Sequence, residues 1–271
     1  MVIFDRLMTA LRGEKSEPRL SHDPSRLREG DVFLVSYPRS GNTWVRNIIA
    51  HLRWGGDKIQ SLKDLDHLVP DVHRGLPRRD KHSLVIKSHN PFAHRRYREE
   101  FGYNRVIYLA RSPFEVVRSY HHYLLTVNPR RRVESLRTFV DQFTSGSIWP
   151  GSWQEHVLSW NGVMKDKESL LVKYEDLQED PTYQINRISS FLGYNLSAEE
   201  ASQISDQCSR ENMVELEREG SLVQKDYEFI RRSAGQRQAK RNLTDEQYSD
   251  IAQKTKRALD TLGYSSNRFE R

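Results

Sequence analysis

Apolar positions along the chain form two patterns. The segments Asp31–Ser36, Leu84–Lys87, Arg105–Ala110 and Leu170–Tyr174 are short, nearly continuous apolar runs rich in β-branched residues, as strands covered on both faces of a parallel sheet are. Helical spacing of apolar positions occupies Val45–Leu52, Pro113–Leu125, Leu136–Phe143, Trp153–Met164, Pro181–Leu192, Ala198–Gln207 and Asp245–Leu262. Pro113 stands where a first-turn proline is tolerated. Strands alternating with helices predict an α/β fold: a single domain over residues 31–271, with a central, mostly parallel sheet flanked by helices on both faces. In such a sheet ligands bind beyond the carboxyl ends of the strands. The polar stretches Tyr37–Thr43, Lys87-Ser88-His89, Arg111-Ser112 and Tyr174-Glu175-Asp176 follow the four runs, so they are expected to converge on one crevice.

Residues 1–30 read as an N-terminal amphipathic helix and a connector. Ile3, Phe4, Leu7, Met8 and Leu11 share one helical face, and Gly13–Gly30 is polar and carries Pro18 and Pro24. The helix lacks the continuous apolar centre and small-residue cleavage site of a signal peptide, so docking on the domain is the expectation.

Composition narrows the function classes. Aromatic residues (5 Trp, 12 Tyr, 10 Phe) are spread along the chain, which excludes wholesale disorder. Cys208 is the single cysteine. An internal disulfide and a Cys-rich zinc site are therefore excluded, and the cytoplasm is the simplest location. No stretch approaches the roughly 20 apolar residues of a membrane span. No His, Cys or carboxylate cluster has metal-ligand spacing, so no metal is expected. Lys and Arg outnumber Asp and Glu by 43 to 37, for a net charge of +6, which favours an anionic partner: a nucleic acid, an anionic lipid, a nucleotide or a sulfated or phosphorylated small molecule. The clusters Arg95-Arg96-x-Arg98, Arg130–Arg132 and Arg231–Arg241 each read first as solvated basic surface.

The first apolar run leads through a glycine-containing loop into a helix, an arrangement that turns backbone N–H groups and the positive end of the helix dipole toward an anion. Arg39, Ser40, Asn42 and Thr43 add side-chain donors around Gly41. The Gly-x-x-x-x-Gly-Lys-Ser/Thr spacing of a nucleoside triphosphatase loop is missing. Arg111 at a strand end and Ser119 two turns into the next helix could reach one phosphate, the guanidinium in bidentate fashion, but read alone Arg111 competes with a surface ion pair and Ser119 is read first as an ordinary helical serine. His89, just beyond a strand and two residues after Lys87, stands out among the histidines as a general base, its unperturbed pKa lying near 6.5.

These stretches resemble, in order, the motifs of the cytosolic-type sulfotransferases. Tyr37-Pro-Arg-Ser-Gly-Asn-Thr-Trp44 is similar to the Tyr-Pro-Lys-Ser-Gly-Thr-Thr-Trp loop that holds the 5′-phosphosulfate of 3′-phosphoadenosine-5′-phosphosulfate (PAPS). Arg111-Ser-Pro-Phe-Glu-Val-Val-Arg-Ser119 resembles the pair that binds the 3′-phosphate, and Lys87-Ser-His89-Asn-Pro91 the Lys-Thr-His-x-Pro that supplies the base. Gly151–Trp160 and Tyr174-Glu-Asp-Leu177 also have counterparts. The resemblance implies a P-loop-like nucleotide-binding architecture and a PAPS-dependent sulfotransferase, with PAPS as co-substrate and adenosine 3′,5′-bisphosphate as product. It implies in-line transfer to a hydroxyl, or less favourably an amine, with His89 as base and Lys87 and Arg39 in charge-stabilising roles. Trp44 and Tyr174 are implied to contact adenine, for which a core tryptophan and a plain strand end are the competing readings. Ser209 and Arg210 line the same pocket by resemblance, Arg210 taking a phenylalanine's place. Arg231, Arg232 and Ser233 resemble the Arg-Lys-Gly that closes over the 3′-phosphate.

Three departures matter. Arg39 replaces the usual Lys and essentially cannot give up a proton, so electrostatic stabilisation of the leaving phosphate is its expected role. Ser233 replaces Gly. The family's dimer motif is half present at Lys240 and Thr244, with Asp245 and Ser249 in its other places, which implies a monomer or a weak dimer. The acceptor stays open among small molecules, saccharides and lipids carrying a hydroxyl, with Trp54–Arg79 and Val127–Trp149 the segments expected to contact it and His121 and His122 the next candidates for the base. Two further readings compete: a small-molecule or nucleotide kinase with an atypical phosphate loop, and a basic nucleic-acid-binding module, which no visible nucleic-acid motif supports.

Overall fold

The computed structural model describes residues 27–72, 83–92, 102–127, 135–219 and 243–264. Four strands, β1 (Val32–Ser36), β2 (Val85–Ser88), β3 (Arg105–Ala110) and β4 (Glu168–Lys173), form a sheet in the order β2-β1-β3-β4. Every neighbouring pair is parallel, with Val32 opposite both Val85 and Arg105. The chain leaves β1 toward β2 on one side and returns to β3 on the other. The reversal opens a crevice at the carboxyl ends of β1 and β3, where open α/β sheets bind their ligands.

Alternation along the strands divides the interior into two cores. Phe33, Val35, Ile86, Val106 and Tyr108 face one way, onto α3 (Pro113–Val127), α4 (Leu136–Ser145), α5 (Trp153–Met164) and α10 (Asp245–Leu262). Val32, Leu34, Val85, Ile107 and Leu109 face the other, onto α1 (Asn42–Trp54), α6 (Tyr174–Glu179), α7 (Pro181–Phe191) and α8 (Ala198–Gln207). Burial on both sides is why the strands read as unbroken apolar runs. The α/β class, the parallel sheet and helices on both faces are as expected.

Local chemistry sets the helix starts. Ser135, Ser152 and Asp180 accept N–H groups from the first turns of α4, α5 and α7, and Ser197 and Thr244 form reciprocal capping boxes with Glu200 and Gln247, each such cap contributing about 1 kcal/mol. Two differences from the sequence pattern bear on the site. Tyr174 opens α6 instead of ending β4, with Glu175 and Asp176 in the helix's first turn, where acids oppose the positive end of the dipole. The helix α9 (Arg210–Glu219) buries only Met213 and Val214, too little apolar surface to show as a period. A short helix α2 (Leu65–Leu68) precedes β2. The expected N-terminal helix lies outside the described residues.

Candidate functional site

The loop after β1 turns through two left-handed residues, Arg39 (φ 68°) and Gly41 (φ 97°). Gly41 is the N-cap of α1, whose first turn has neither a side-chain cap nor an acid, so its leading N–H groups and dipole end are available to an external anion. Glycine is required at 41 for space as well as for φ. A Cβ there would lie 2.7 Å from Cε2 of Tyr174.

Arg111, at the end of β3, reaches back across the crevice. It donates to the Arg39 carbonyl at 3.0 Å, and its guanidinium lies 4.1 Å from the Tyr174 ring centroid. Arg39 in turn sends its Nε to Ser119 Oγ on α3 at 3.2 Å, with its guanidinium 4.9 Å from the Tyr123 ring centroid. Trp44 meets Tyr174 edge to face at 5.7 Å. Gly41, Trp44, Arg39, Arg111, Ser119 and Tyr174, which come from four separate stretches of sequence, thus form one contiguous set. Glu175 anchors its rim, accepting the Ser112 N–H and the Tyr264 hydroxyl, each at 2.9 Å.

Buried polar atoms here lack protein partners: Ser40 Oγ, Asn42 Oδ1 and Arg111 Nε. Buried donors and acceptors are normally satisfied. The two donors among them, Ser40 Oγ and Arg111 Nε, flanking an uncapped helix start, fit a phosphorylated ligand. Burial lowers the Arg111 pKa from its usual value, partly offset by Tyr174, Glu175 and Tyr264; guanidinium basicity is high enough that the charge persists.

His89 follows β2. Its Nδ1 sits 2.7 Å from the Ser36 carbonyl and 3.3 Å from Ser36 Oγ. A carbonyl only accepts, so Nδ1 carries the proton and Nε2 the free lone pair. Burial pushes the His89 pKa well below the usual histidine value, Lys87 adding to the fall while Asp71 and the Ser36 carbonyl oppose it. The ring is neutral and able to accept a proton. It meets Trp149 edge to face at 5.9 Å. Asn42 Nδ2 donates to Ser36 Oγ at 3.1 Å, so the residue that orients His89 is also tied to the start of α1. Lys87 Nζ lies 2.6 Å from Asp71 Oδ2.

Other predicted positions are placed less centrally. Ser209 Oγ accepts the Asn212 N–H at 3.4 Å and Arg210 begins α9. Their neighbour Cys208 has its Sγ 3.5 Å from His51 Nδ1, about two turns along α1 from Trp44. His121 packs against Phe139, 5.2 Å between ring centroids. Arg231, Arg232 and Ser233 lie outside the described residues, as do the clusters Arg95–Arg98, Arg130–Arg132 and Arg231–Arg241. Pattern reading did not single out Ser36, Asp71 or Tyr123, and it gave Glu175 and Trp149 only as members of longer stretches. Each contributes through a contact between segments distant in sequence, which no local period encodes. Among the described residues, no group of His, Cys, Asp and Glu is arranged to hold a metal ion, and no helix is long and apolar enough to cross a membrane.

Comparison with known proteins agrees with this geometry. The family model described as "Sulfotransferase domain" matches residues 29–263. The chain is similar to an amine sulfotransferase of Oryctolagus cuniculus, 29% identical over 196 residues, covering 70% of this chain and 65% of that protein. It is also similar to sulfotransferase 1B1 of Canis lupus familiaris, 30% identical over 199 residues, covering 69% and 67%. The chain thus spans about two thirds of the length of these relatives. Among solved structures, retinol dehydratase in complex with androsterone and the inactive cofactor PAP superposes with a TM-score of 0.67 at 20% identity, covering 95% of this chain and 94% of that one. With a family model spanning nearly the whole described chain and the same fold in solved relatives, the chain belongs to the sulfotransferase domain family.

Proposed function

We propose that the chain transfers the sulfuryl group of PAPS to a hydroxyl acceptor, with His89 as the general base. The observation that carries this reading is the placement of His89: buried, neutral, and held by the Ser36 carbonyl in the tautomer that leaves Nε2 free to take a proton. Ser36 is the last residue of β1, the strand from which the anion-binding loop departs, so base and anion site hang on one rigid element.

The residues divide by charge. The N–H groups and side chains of Arg39, Ser40, Gly41, Asn42 and Thr43 would hold the 5′-phosphosulfate end. Arg111 and Ser119 would hold the 3′-phosphate, with Arg231, Arg232 and Ser233 supplied from the C-terminal side. Trp44 and Tyr174 would flank the adenine, with Ser209 and Arg210 at its margin. PAPS, when bound, supplies the sulfuryl group and a bisphosphate leaving group of its own. What remains for the protein is to orient an acceptor oxygen, remove its proton and stabilise charge on the opposite side of the sulfur. His89 removes the proton; Arg39 and Lys87 supply fixed positive charge. Trp149 beside His89 gives the acceptor side an apolar wall, suited to an alcohol carried on a hydrophobic or sugar body. Thr244, one of the two residues that match the family's dimer motif, caps α10; with the other half of that motif replaced, the reading is a monomer or a weak dimer.

The test is single-turnover transfer with a panel of alkyl alcohols. His89→Ala should leave affinity for adenosine 3′,5′-bisphosphate within about threefold while transfer falls roughly 10²-fold or more. Transfer to an alkyl alcohol at the wild-type rate would move the base to His121 or His122.

A further inference from the structure

The sequence motif presents Lys87 as an isolated cation, but the structure encloses it. Asp71 and Lys87 form a parallel bridge at the free edge of β2. The Lys87 N–H donates to the Pro70 carbonyl at 2.8 Å, the Val72 N–H donates to the Lys87 carbonyl at 2.9 Å, and the ammonium lies 2.6 Å from the Asp71 carboxylate. Both side chains are largely withdrawn from solvent, 15% and 5% exposed.

The segment bearing Asp71 is itself pinned to the helix that carries the anion loop. Arg46 of α1, buried, donates to the carbonyls of Val69 (2.7 and 3.0 Å) and Leu65 (2.5 Å) and pairs with Asp66 at 3.0 Å. Three carbonyl and carboxylate partners fix the guanidinium's plane, and with it the last turn of α2. The line from α1 through Arg46 to residues 65–71, Lys87 and β2 therefore ends two residues before His89.

We propose that Asp71 is a positioning residue for sulfuryl transfer, which keeps the Lys87 ammonium charged and aimed in its enclosed place beside the base. A buried lysine without a counter-charge tends to lose its proton. With the carboxylate alongside, Lys87 remains a cation through the working pH range and its position is set from both main chain and side chain. Among the described residues, His89 feels the charge of both members of this pair as well as that of His156, and the neighbouring segment carries the Arg46–Asp66 ion pair. Arg46 is committed to its own partners.

This inference rests on the reading of Lys87 as a charge-stabilising residue, and the experiment separates the two. In Asp71→Asn, the Lys87 side chain, followed by NMR of its ε-carbon and assigned by its loss in Lys87→Arg, should titrate at least one pH unit lower than in the wild type, and the alkaline limb of the transfer-rate profile should move down with it. Asp71→Glu should restore both toward wild type. In Asp71→Asn/Lys87→Arg, whose guanidinium does not titrate, the alkaline limb should lie at or above its wild-type position. A moved NMR titration with an unmoved rate profile would keep the Asp71–Lys87 coupling but remove Lys87 from the chemistry, overturning the proposal through its premise. An unmoved Lys87 titration in Asp71→Asn would overturn the positioning role itself. Should Asp71→Asn not fold, the wild-type protein decides: with the Asp71 carboxylate alongside, the Lys87 ε-carbon signal must show no loss of the proton across the pH range of transfer, and a Lys87 that titrates within that range refutes the proposal.

Discussion

Gly41→Ala tests the proposal that the loop after β1, read as holding a phosphate, and the Tyr174 ring, read as flanking the adenine, form one object. The residue sits at φ 97°, a region that costs a non-glycine residue about 1–2 kcal/mol. The added methyl would also stand 2.7 Å from Tyr174 Cε2, closer than carbon atoms pack, so the ring must move or the loop must open. Moving Tyr174 breaks its stacking with the Arg111 guanidinium at 4.1 Å, an interaction of about 0.5–2 kcal/mol depending on desolvation, and its edge contact with Trp44. The sum is about 2–4 kcal/mol. Part would appear as stability, on the order of 2–4 °C in Tm for each kcal/mol in a chain of this size. Part would appear as weakened nucleotide binding, since the N–H groups of the loop, Arg111 and Trp44 are all displaced. Calorimetry with adenosine 3′,5′-bisphosphate should show at least a tenfold loss of affinity, and thermal unfolding a fall of several degrees. A variant with Kd within twofold and Tm within one degree of wild type would show that the loop and Tyr174 accommodate a Cβ independently, and the argument for a single rigid cradle would fail.

Arg111→Ala should cost about 2 kcal/mol or more of binding to adenosine 3′,5′-bisphosphate, as removal of a buried, hydrogen-bonded charge does, read as a roughly thirtyfold rise in Kd by calorimetry; unchanged affinity would take Arg111 out of the phosphate site. The protein should also lose stability in acid: burial pushes the His156 pKa down to about 3 against about 6.5 unfolded. The unfolded chain therefore takes up the proton first, and this contribution, complete above pH 6.5, falls by about 1.4 kcal/mol per pH unit below it. Denaturant unfolding at pH 8 and pH 5 should differ by about 2 kcal/mol more in wild type than in His156→Gln, and equal differences would mean that His156 is not held neutral.

The strands were legible because their apolar residues serve both cores, Phe33 and Val35 one and Val32 and Leu34 the other, and even the edge strand β4, mostly half-buried, gives Leu171 to the first and Leu170 to the second. Helices with a wide apolar stripe or a clear cap were legible for similar reasons: α8 and α10 begin after Ser197 and Thr244, with Glu200 and Gln247 three residues later. The helix α9 lacked such a stripe. Tyr174 misled because an aromatic residue after an apolar run reads as strand, whereas the acids behind it favour a helix start. In the site, residue types at strand ends marked Arg111 and His89, yet the partners that hold them in place were hidden. Ser36 looks like a strand's last residue and proves to set the His89 tautomer through its carbonyl, an atom every residue possesses. Asp71 lies in a stretch without periodicity and becomes meaningful only when the sheet edge brings it to Lys87.

Arg39 shows how a departure from the family pattern is absorbed by the fold. Its carbonyl receives Arg111 from the end of β3, while its side chain crosses to α3 and engages Ser119 and Tyr123, which are four residues apart and so share one helical face. One residue thereby ties the β1 loop, the β3 end and α3, the three elements that border the crevice. A lysine could carry the same charge, but its single nitrogen offers no planar group to lie over the Tyr123 ring while donating from Nε to Ser119. The guanidinium gives up proton donation in exchange for that fixed geometry. Charge developing on a leaving phosphate would then be met by a cation whose place is already set, which is the form of stabilisation that requires least reorganisation during the reaction.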